Sequence, residues 1–241
     1  MWCYINWGGV PVDRAFFMDI IKHTYFTFFS IGSLIPVIAL GYITFFLFAI
    51  PRKSTATSHL ATGYLLMTVF NVAYLISSSL YHPLAAYHRW LTVAVIIPAE
   101  IHFNMFILHY GGFPRQRFSK YFCIVQYLIS IAITAVFCFS TFHAPKIFHF
   151  DGHYWDFAAD QISALIGIVI IFYILIFIAI TIYKAIALKG RERRIAIMAG
   201  ISYIAATVVP SITNTLSRKG VIDREVFQIS WALFNIFGFF L

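Results

Sequence analysis

The chain has 241 residues, of which 61% are hydrophobic and 11% are charged, and its mean hydropathy is +0.84. A water-soluble domain carries roughly 25% charged residues, so this composition excludes a soluble globular protein. The net charge of +8 comes from Lys and Arg in short loops between apolar segments, where lipid head groups and insertion polarity explain it better than nucleic acid does. Nucleic acid is therefore not an expected partner.

Seven apolar segments of about 20 residues are nearly free of charge, and each is long enough to cross a bilayer as a helix. They lie at about 24–50, 60–80, 90–108, 121–142, 162–183, 195–216 and 228–241. The sequence therefore predicts an all-α, polytopic membrane helix bundle with seven transmembrane helices at 24–241, preceded by an extracytoplasmic segment at 1–23. The last segment is still apolar at Leu241, so we expect a truncated seventh helix.

Residues 11–22 precede the first membrane segment and have an amphipathic pattern. Val12, Phe16 and Ile20 repeat every four residues, with charged side chains between them. This spacing predicts a short helix lying at the membrane interface. A polar N-terminal extension of the first membrane helix fits the same pattern and is the alternative.

The distribution of Lys and Arg predicts the orientation of the chain. Ten of the 17 basic residues lie in the loops at 51–59, 109–120 and 184–194, and the other seven are spread over longer segments on the opposite side. Short, positively charged loops stay in the cytoplasm, so we expect the N-terminus outside and the C-terminus inside.

Glu100 is an acidic residue in the middle of the third predicted span, and Asn104 follows one turn later on the same face. Thr68, Asn71 and Ser78 form a polar stripe on the second span. An ionisable group at membrane depth is costly unless it is paired, hydrated or neutral. We predict a ligand-binding or coupling site where these two stripes face each other. The alternative is a protonated Glu100 that joins helices by bonding Asn71 or a carbonyl.

The sixth predicted span has a similar polar stripe, formed by Tyr203, Thr207, Ser211 and Asn214. Pro210 lies within the stripe, and a proline inside a span kinks the helix and leaves a carbonyl unpaired. We therefore expect Ser211 and Asn214 to border the same cavity as Glu100, with Pro210 as a hinge. A kink without a moving role is the alternative.

Motifs for metal binding and catalysis are weak. His149, Asp151 and His153 are close enough in the sequence to be weak candidates for a metal site, and exposed loop histidines without metal are the alternative. The stretch from Ser78 to His82 resembles the Ser-x-x-x-His element of hemolysin III and progestin-receptor-like zinc proteins, but no histidine follows His153. We expect no cofactor, no metal and no catalytic residue.

The C-terminal part of the chain resembles a known family. The similarity lies in 209–222 (Val-Pro-Ser-Ile-Thr-Asn-Thr-Leu-Ser-Arg-Lys-Gly-Val-Ile), 225–228 (Glu-Val-Phe-Gln) and 235–241 (Asn-Ile-Phe-Gly-Phe-Phe-Leu). These segments look like the end of the N-terminal seven-helix sensor region of bacterial, spirochaete-like signalling proteins. The effectors of those proteins are SpoIIE-type phosphatases, nucleotide cyclases or histidine kinases. Elsewhere in the chain the similarity is architectural.

The resemblance implies a sensor or receptor module in the cytoplasmic (inner) membrane that passes an extracytoplasmic or membrane signal to a C-terminal effector. The module itself would have no catalysis, and the full-length protein would carry the phosphatase, cyclase or kinase. The expected partners are the lipid bilayer, a small-molecule or lipid ligand and the effector domain in cis, and a homodimer is left open. The alternative function is a small transporter or channel that uses Glu100 as a proton- or cation-coupling site.

Overall fold

The computed structural model describes residues 14–112, 116–149, 154–157 and 160–240. In these ranges the chain forms eight α-helices and two short strands. The helices are α1 (Arg14–Lys22), α2 (Phe28–Ala49), α3 (Thr55–Ser79), α4 (His88–His109), α5 (Gln116–Thr141), α6 (Asp160–Ala187), α7 (Gly190–Arg218) and α8 (Arg224–Phe240). A 3-10 turn at Pro83–Tyr87 precedes α4.

The prediction of a helical fold is confirmed, and six of the described helices are long and apolar enough to cross a membrane, which is consistent with a multi-pass membrane protein. The six spans are Phe28–Ala49, Thr55–Ser79, Pro83–His109, Arg117–Thr141, Gln161–Ala187 and Gly190–Ser217. Helix α8 coincides with the seventh predicted segment and has 17 residues, or about 25 Å of helical rise.

Helix α1 occupies part of the predicted amphipathic segment and is separate from α2. After Lys22 the chain runs extended, and the Tyr25 N–H donates to the Ser79 carbonyl at 2.8 Å. Thr27 then caps α2 through a reciprocal pair of hydrogen bonds with Ser30. The break therefore has a local cause, and the position of α1 at the membrane interface stays a prediction.

The loop between α5 and α6 contains a structure that the sequence analysis did not predict. Strands β1 (Lys146–His149) and β2 (Tyr154–Phe157) pair antiparallel, with Lys146 opposite Phe157. Each strand has four residues, too few for a clear alternating pattern in the sequence. The fold is thus helical with one small hairpin packed on its end.

Helices α2, α3, α4, α6, α7 and α8 form a closed ring in that order, with α8 contacting α2, and α5 packs outside the ring against α4. The span that contains α4 is the most enclosed, with 67% of its apolar window buried, against 17% for the span of α5. We call the end where α4, α6 and α8 begin the hairpin end, because β1 and β2 pack there against the 3-10 turn.

Small residues allow neighbouring helices to approach closely. A Cβ atom on Gly63 of α3 would lie 2.9 Å from Phe103 Cε1 of α4. A Cβ atom on Gly200 of α7 would lie 2.5 Å from Thr181 Cγ2 of α6. Such contacts are typical of membrane helices, whose association depends on van der Waals packing rather than on the hydrophobic effect.

Candidate ligand cavity

A cavity of about 510 Å³ lies inside the ring of helices. At the hairpin end it is bordered by Arg89, Ser163 and Lys219, and it reaches Glu100 in the middle of α4. Helical rise separates Arg89 from Glu100 by about 16 Å, so the cavity spans roughly half of the membrane depth. Pockets that hold small organic ligands have volumes of roughly 300–1,000 Å³. The size is therefore that of a small-molecule site.

The walls of the cavity change character along its length. Polar and charged side chains border it near the hairpin end, namely Arg89, Thr92, Ser163, Asn214, Thr215 and Lys219. Apolar side chains line it towards the membrane centre, among them Met67, Phe70, Ile96, Ile170, Ile174 and Ala206. An apolar interior with a few polar groups is typical of ligand sites, because the polar groups fix the orientation of the ligand.

Glu100 forms the deep end of the cavity. The residue is 2% exposed, and its carboxyl group accepts a hydrogen bond from the Tyr203 hydroxyl on α7. The Tyr203 ring stacks on Phe177 with 3.8 Å between ring centroids and meets Phe103 edge-on at 5.8 Å. The predicted alternative, in which Glu100 bonds Asn71 or a carbonyl, does not describe this contact. Tyr203 supplies the partner because its long side chain reaches from α7 to α4.

A second cavity of about 200 Å³ lies on the other side of Tyr203, towards the end opposite the hairpin. Its lining is largely apolar and aromatic and comprises Leu60, Tyr64, Phe103, Phe106, Phe177, Ile195, Met198, Ala199 and Tyr203. Tyr203 borders this cavity while its partner Glu100 borders the larger one. The hydrogen bond between them therefore lies between two unfilled spaces in the bundle.

Three predicted site residues do not border the large cavity. Asn71 accepts a hydrogen bond from Trp231 Nε1 at 2.9 Å and donates to a carbonyl of its own helix. Thr68 donates to its own helix and lies 3.5 Å from a hydroxyl of α2. Asn104 donates to the Tyr173 carbonyl at 3.3 Å. These three side chains bond to their own or to neighbouring helices and do not line the cavity. The polar stripes predicted on the second and third spans therefore do not face each other there.

More of the residues predicted on the sixth span border the large cavity. Pro210, Ser211 and Asn214 all border the large cavity together with Glu100. The Ser211 hydroxyl donates to the Thr207 carbonyl at 2.6 Å, and the Asn214 side-chain oxygen accepts from Arg224 at 3.1 Å. The structure therefore brings part of the sixth-span stripe to the same cavity as the acidic residue of the third span.

Helix α7 has several features that weaken its backbone around Pro210. The proline removes one backbone donor, and the hydroxyls of Thr207, Ser211, Thr213 and Thr215 donate to carbonyls one turn earlier. Such bonds compete with the backbone ladder and bend helices. Helix α7 is nevertheless continuous from Gly190 to Arg218, so the predicted hinge lies inside one unbroken helix, and motion at Pro210 stays a prediction.

Charged residues lie at the hairpin end of the large cavity. Arg89 forms a salt bridge with Asp156 of β2 and donates to the Ser163 hydroxyl at 3.0 Å. Asp156 is 1% exposed, so the pair is shielded and anchors the hairpin to α4 and α6. Arg224 packs over the ring of Phe227, which lines the cavity, at 4.6 Å. Arg89 and Lys219 therefore border the cavity at the hairpin end, and Asp156 anchors the hairpin to Arg89.

The structure does not support a metal site among the described side chains. His149 ends β1, while Asp151 and His153 lie outside the described residues. Within the described ranges, no group of three or more His, Cys, Asp and Glu side chains could hold a metal ion.

A histidine cluster near the end opposite the hairpin was not predicted. His59 and His102 meet at 2.9 Å between their Nδ1 atoms, and Tyr127 lies 2.6 Å from His102 Nε2. His109 stacks on His59 with 5.5 Å between ring centroids. His102 and His109 are seven residues apart and therefore lie on the same face of α4. This spacing could have indicated the cluster from the sequence.

No protein-family model matches the chain, and no curated protein sequence matches it.

Proposed function

We propose that this chain is a receptor-type membrane module that binds a small molecule in the large cavity and converts binding into displacement of α7 and α8. One observation supports the proposal above all. Helices α3, α4 and α6 border one side of the cavity, α7 and α8 border the other, and the Glu100–Tyr203 hydrogen bond joins the two sides at its deep end. A ligand in this space contacts both groups of helices.

The proposed mechanism of signal transfer is a shift in the populations of two packings of the bundle. A ligand changes the balance between two packings of the bundle only if it binds one of them better than the other. Each 1.4 kcal/mol of differential affinity changes the ratio about tenfold. Helix α7 can respond because Pro210 removes one backbone donor from it, and its other end begins at Gly190 within the basic segment 184–194.

We also propose the membrane topology and the cytoplasmic effector that are expected from the sequence. Helix α8 is the seventh membrane span, the N-terminus lies outside, and the basic segment 184–194, where α6 ends and α7 begins, lies in the cytoplasm. In this orientation the large cavity faces outwards, and movement of α7 reaches the cytoplasmic side. A cytoplasmic effector in cis, of the kind that the resemblance implies, would receive the signal there.

Gly167 offers a position from which a side chain can be directed into the cavity. Gly167 of α6 borders it, and a Cβ atom at this position would meet nothing within 4 Å. Gly167→Phe therefore places a ring in the open space, and Gly167→Ala is the matched control that leaves most of the space free. Both changes remove a helical glycine, so neither is expected to unfold α6.

The test uses the neutral fluorescent probe 1-aminoanthracene and the protein in nanodiscs. The three native cysteines are replaced by serine, and Ile197→Cys reports on the cytoplasmic part of α7. We expect the probe to bind the parent and Gly167→Ala proteins, and to change the rate of maleimide labelling at position 197 in both. Gly167→Phe should abolish probe binding and this change. Binding without any change in labelling would refute signal transfer through α7.

A second function is favoured by a separate observation. The Glu100–Tyr203 contact lies between two cavities that approach opposite ends of the bundle, as a transporter with Glu100 as its coupling residue would require. Proteoliposomes loaded with the pH-sensitive dye pyranine distinguish the two functions. A transporter dissipates an imposed pH gradient and loses this activity in Glu100→Gln. A receptor leaves the gradient intact in both proteins.

A further inference from the structure

We propose that the large cavity binds a primary amine that carries an aromatic ring, with the ammonium group beside Glu100 and the ring against Phe70. This inference rests on the proposed receptor function and specifies the chemical class of the ligand. It follows from the buried carboxyl group at the deep end, from further hydrogen-bond acceptors on α7, and from a group of aromatic side chains on the cavity wall.

Glu100 has acceptor capacity beyond its contact with Tyr203. The Tyr203 hydroxyl is its hydrogen-bond donor among the described residues, whereas a carboxylate can accept about four hydrogen bonds. A carboxylate at membrane depth is costly without a counter-charge, and an ammonium group supplies that charge. Glu100 is 2% exposed and borders the cavity, so a ligand in the cavity can reach it away from water.

The proton balance is the same whether the carboxyl group is ionised or protonated before binding. An ionised Glu100 binds the ammonium form of the ligand directly. A protonated Glu100 transfers its proton to the neutral amine, and the same ion pair results. In both complexes Tyr203 donates to a carboxylate, and hydrogen bonds to charged groups are stronger than those between neutral groups. The ligand therefore acts on the contact that joins α4 to α7.

Helix α7 supplies acceptors for the remaining N–H groups of the ammonium. A buried ion pair is favourable only when further hydrogen bonds satisfy its polar atoms. Pro210 has no N–H, so the Ala206 carbonyl does not receive the backbone bond from one turn later, and both residues border the cavity. The Thr207 hydroxyl also borders the cavity and donates to the Tyr203 carbonyl at 2.7 Å, which leaves its oxygen able to accept.

Three aromatic rings form part of the cavity wall between Glu100 and the hairpin end. Phe70 and Tyr74 of α3 have centroids 5.1 Å apart, and the ring of Trp231 on α8 lies 5.5 Å from Phe70 and 5.9 Å from Tyr74. Trp231 Nε1 donates to Asn71, which fixes the orientation of the indole. Aromatic rings prefer neighbours at about 4.5–7 Å, so a ligand ring can extend this group.

The depth of Phe70 suits an amine with a short linker. The Cβ position of Gly63 on α3 meets Phe103 on α4, so these two residues lie at one level of the bundle. Helical rise from this level places Glu100 about 4.5 Å and Phe70 about 10 Å towards the hairpin end, a difference of about 6 Å. The two-carbon linker of 2-phenylethylamine bridges a distance of this order, so its ammonium group reaches Glu100 while its ring lies against Phe70.

The basic residues that border the cavity lie far from this site. Arg89 is separated from Glu100 by about 16 Å of helical rise, and its charge is matched by the salt bridge to Asp156. Lys219 is exposed at the hairpin end, where counter-ions screen its charge. The electrostatics at the deep end are therefore determined by Glu100 and favour a cation.

Four ligands of similar size test the charge and the ring separately. The amine 2-phenylethylamine, the alcohol 2-phenylethanol, the acid 3-phenylpropanoate and the saturated amine 2-cyclohexylethylamine are titrated calorimetrically into the protein in phosphatidylcholine nanodiscs. Empty nanodiscs correct for binding to lipid. We expect 2-phenylethylamine to bind about tenfold or more tightly than the alcohol, and the acid to bind most weakly. The saturated amine should bind about threefold more weakly than 2-phenylethylamine, because it lacks the ring contacts.

Variants localise the two ends of the ligand. Glu100→Gln should weaken 2-phenylethylamine about tenfold and leave 2-phenylethanol unchanged. The matched control is Glu192→Gln, because Glu192 is exposed and does not border the cavity. Phe70→Leu should weaken 2-phenylethylamine about threefold and leave the saturated amine unchanged, whereas Phe172→Leu on the exposed face of α6 should change neither. Gly167→Phe should abolish binding of the amine, and Gly167→Ala should retain it.

The ligand series needs no variant, so it decides the proposal even if Glu100→Gln fails to fold. Binding of 2-phenylethylamine no tighter than that of 2-phenylethanol, or an unchanged affinity in folded Glu100→Gln, would overturn the proposal. If the amine fails while 1-aminoanthracene still changes labelling at position 197, the ligand class is wrong and the receptor function stands. If the amine binds as expected and neither ligand changes the labelling, the site stands and the receptor function is wrong.

Discussion

The hydrogen bond between Tyr203 and Glu100 leads to a quantitative prediction. Tyr203→Phe removes the hydroxyl and keeps the ring, whose centroid lies 3.8 Å from that of Phe177. Glu100 is 2% exposed, so solvent can replace the lost donor only in small part. The substitution therefore isolates one polar contact between α4 and α7 without leaving a packing defect.

The expected loss depends on the charge of the carboxyl group. A hydrogen bond to an ionised group contributes about 1.5–3 kcal/mol, and a bond between neutral groups about 0.5–1.5 kcal/mol. If Glu100 is ionised, Tyr203→Phe should lower the free energy of unfolding by about 2 kcal/mol in the parent protein and by about 1 kcal/mol in Glu100→Gln. If Glu100 is protonated, the two losses should be equal, at about 1 kcal/mol.

Reversible unfolding in mixed micelles with increasing dodecyl sulfate, followed by far-UV circular dichroism, measures both losses. Tyr183→Phe is the matched control, since Tyr183 lies on α6 and is 55% exposed, and the same chemical change there should have no effect. If Tyr203→Phe costs nothing in either background, the contact at the deep end of the cavity does not stabilise the bundle. The mechanical link that we propose between α4 and α7 would then be refuted.

Three further predictions concern other parts of the bundle. Gly63→Ala forces a methyl group against an aromatic ring of α4, so it should lower the unfolding temperature by an amount equivalent to about 1–3 kcal/mol of stability. Gly167→Ala should not lower the unfolding temperature, and equal effects of the two substitutions would contradict the packing. Asp156→Asn removes the salt bridge between β2 and Arg89, so hydrogen exchange at 154–157 should accelerate while exchange in the bundle core stays unchanged. Burial lowers the pKa of His82 below its ordinary value of 6.5, so the folded state binds fewer protons and its stability should fall as the pH drops below about 6.5. Thermal unfolding between pH 7.5 and 5 should show a smaller decrease in His82→Asn, which keeps a capping side chain without the titration.

The amino-acid sequence was sufficient to predict the physical class of the protein. Apolar segments of about 20 residues cannot remain in water and must pair their backbone groups internally within lipid, so a helical membrane bundle follows from composition and length. The same reasoning drew attention to Glu100, since an acidic residue within a span is costly unless the fold accommodates it. Helix periodicity also grouped Pro210, Ser211 and Asn214, which do border one cavity.

Only the tertiary structure decided which helix faces meet. Periodicity places Asn71 and Thr68 on one stripe, but it cannot say that Asn71 bonds Trp231 of α8, 160 residues away, instead of facing Glu100. Polar side chains in a membrane helix can be satisfied by carbonyls of their own helix, so their presence does not require a shared pocket. The contact between Glu100 and Tyr203 likewise depends on where α4 and α7 stand in the ring, because periodicity describes one helix at a time and leaves the rotation and neighbours of each helix undetermined.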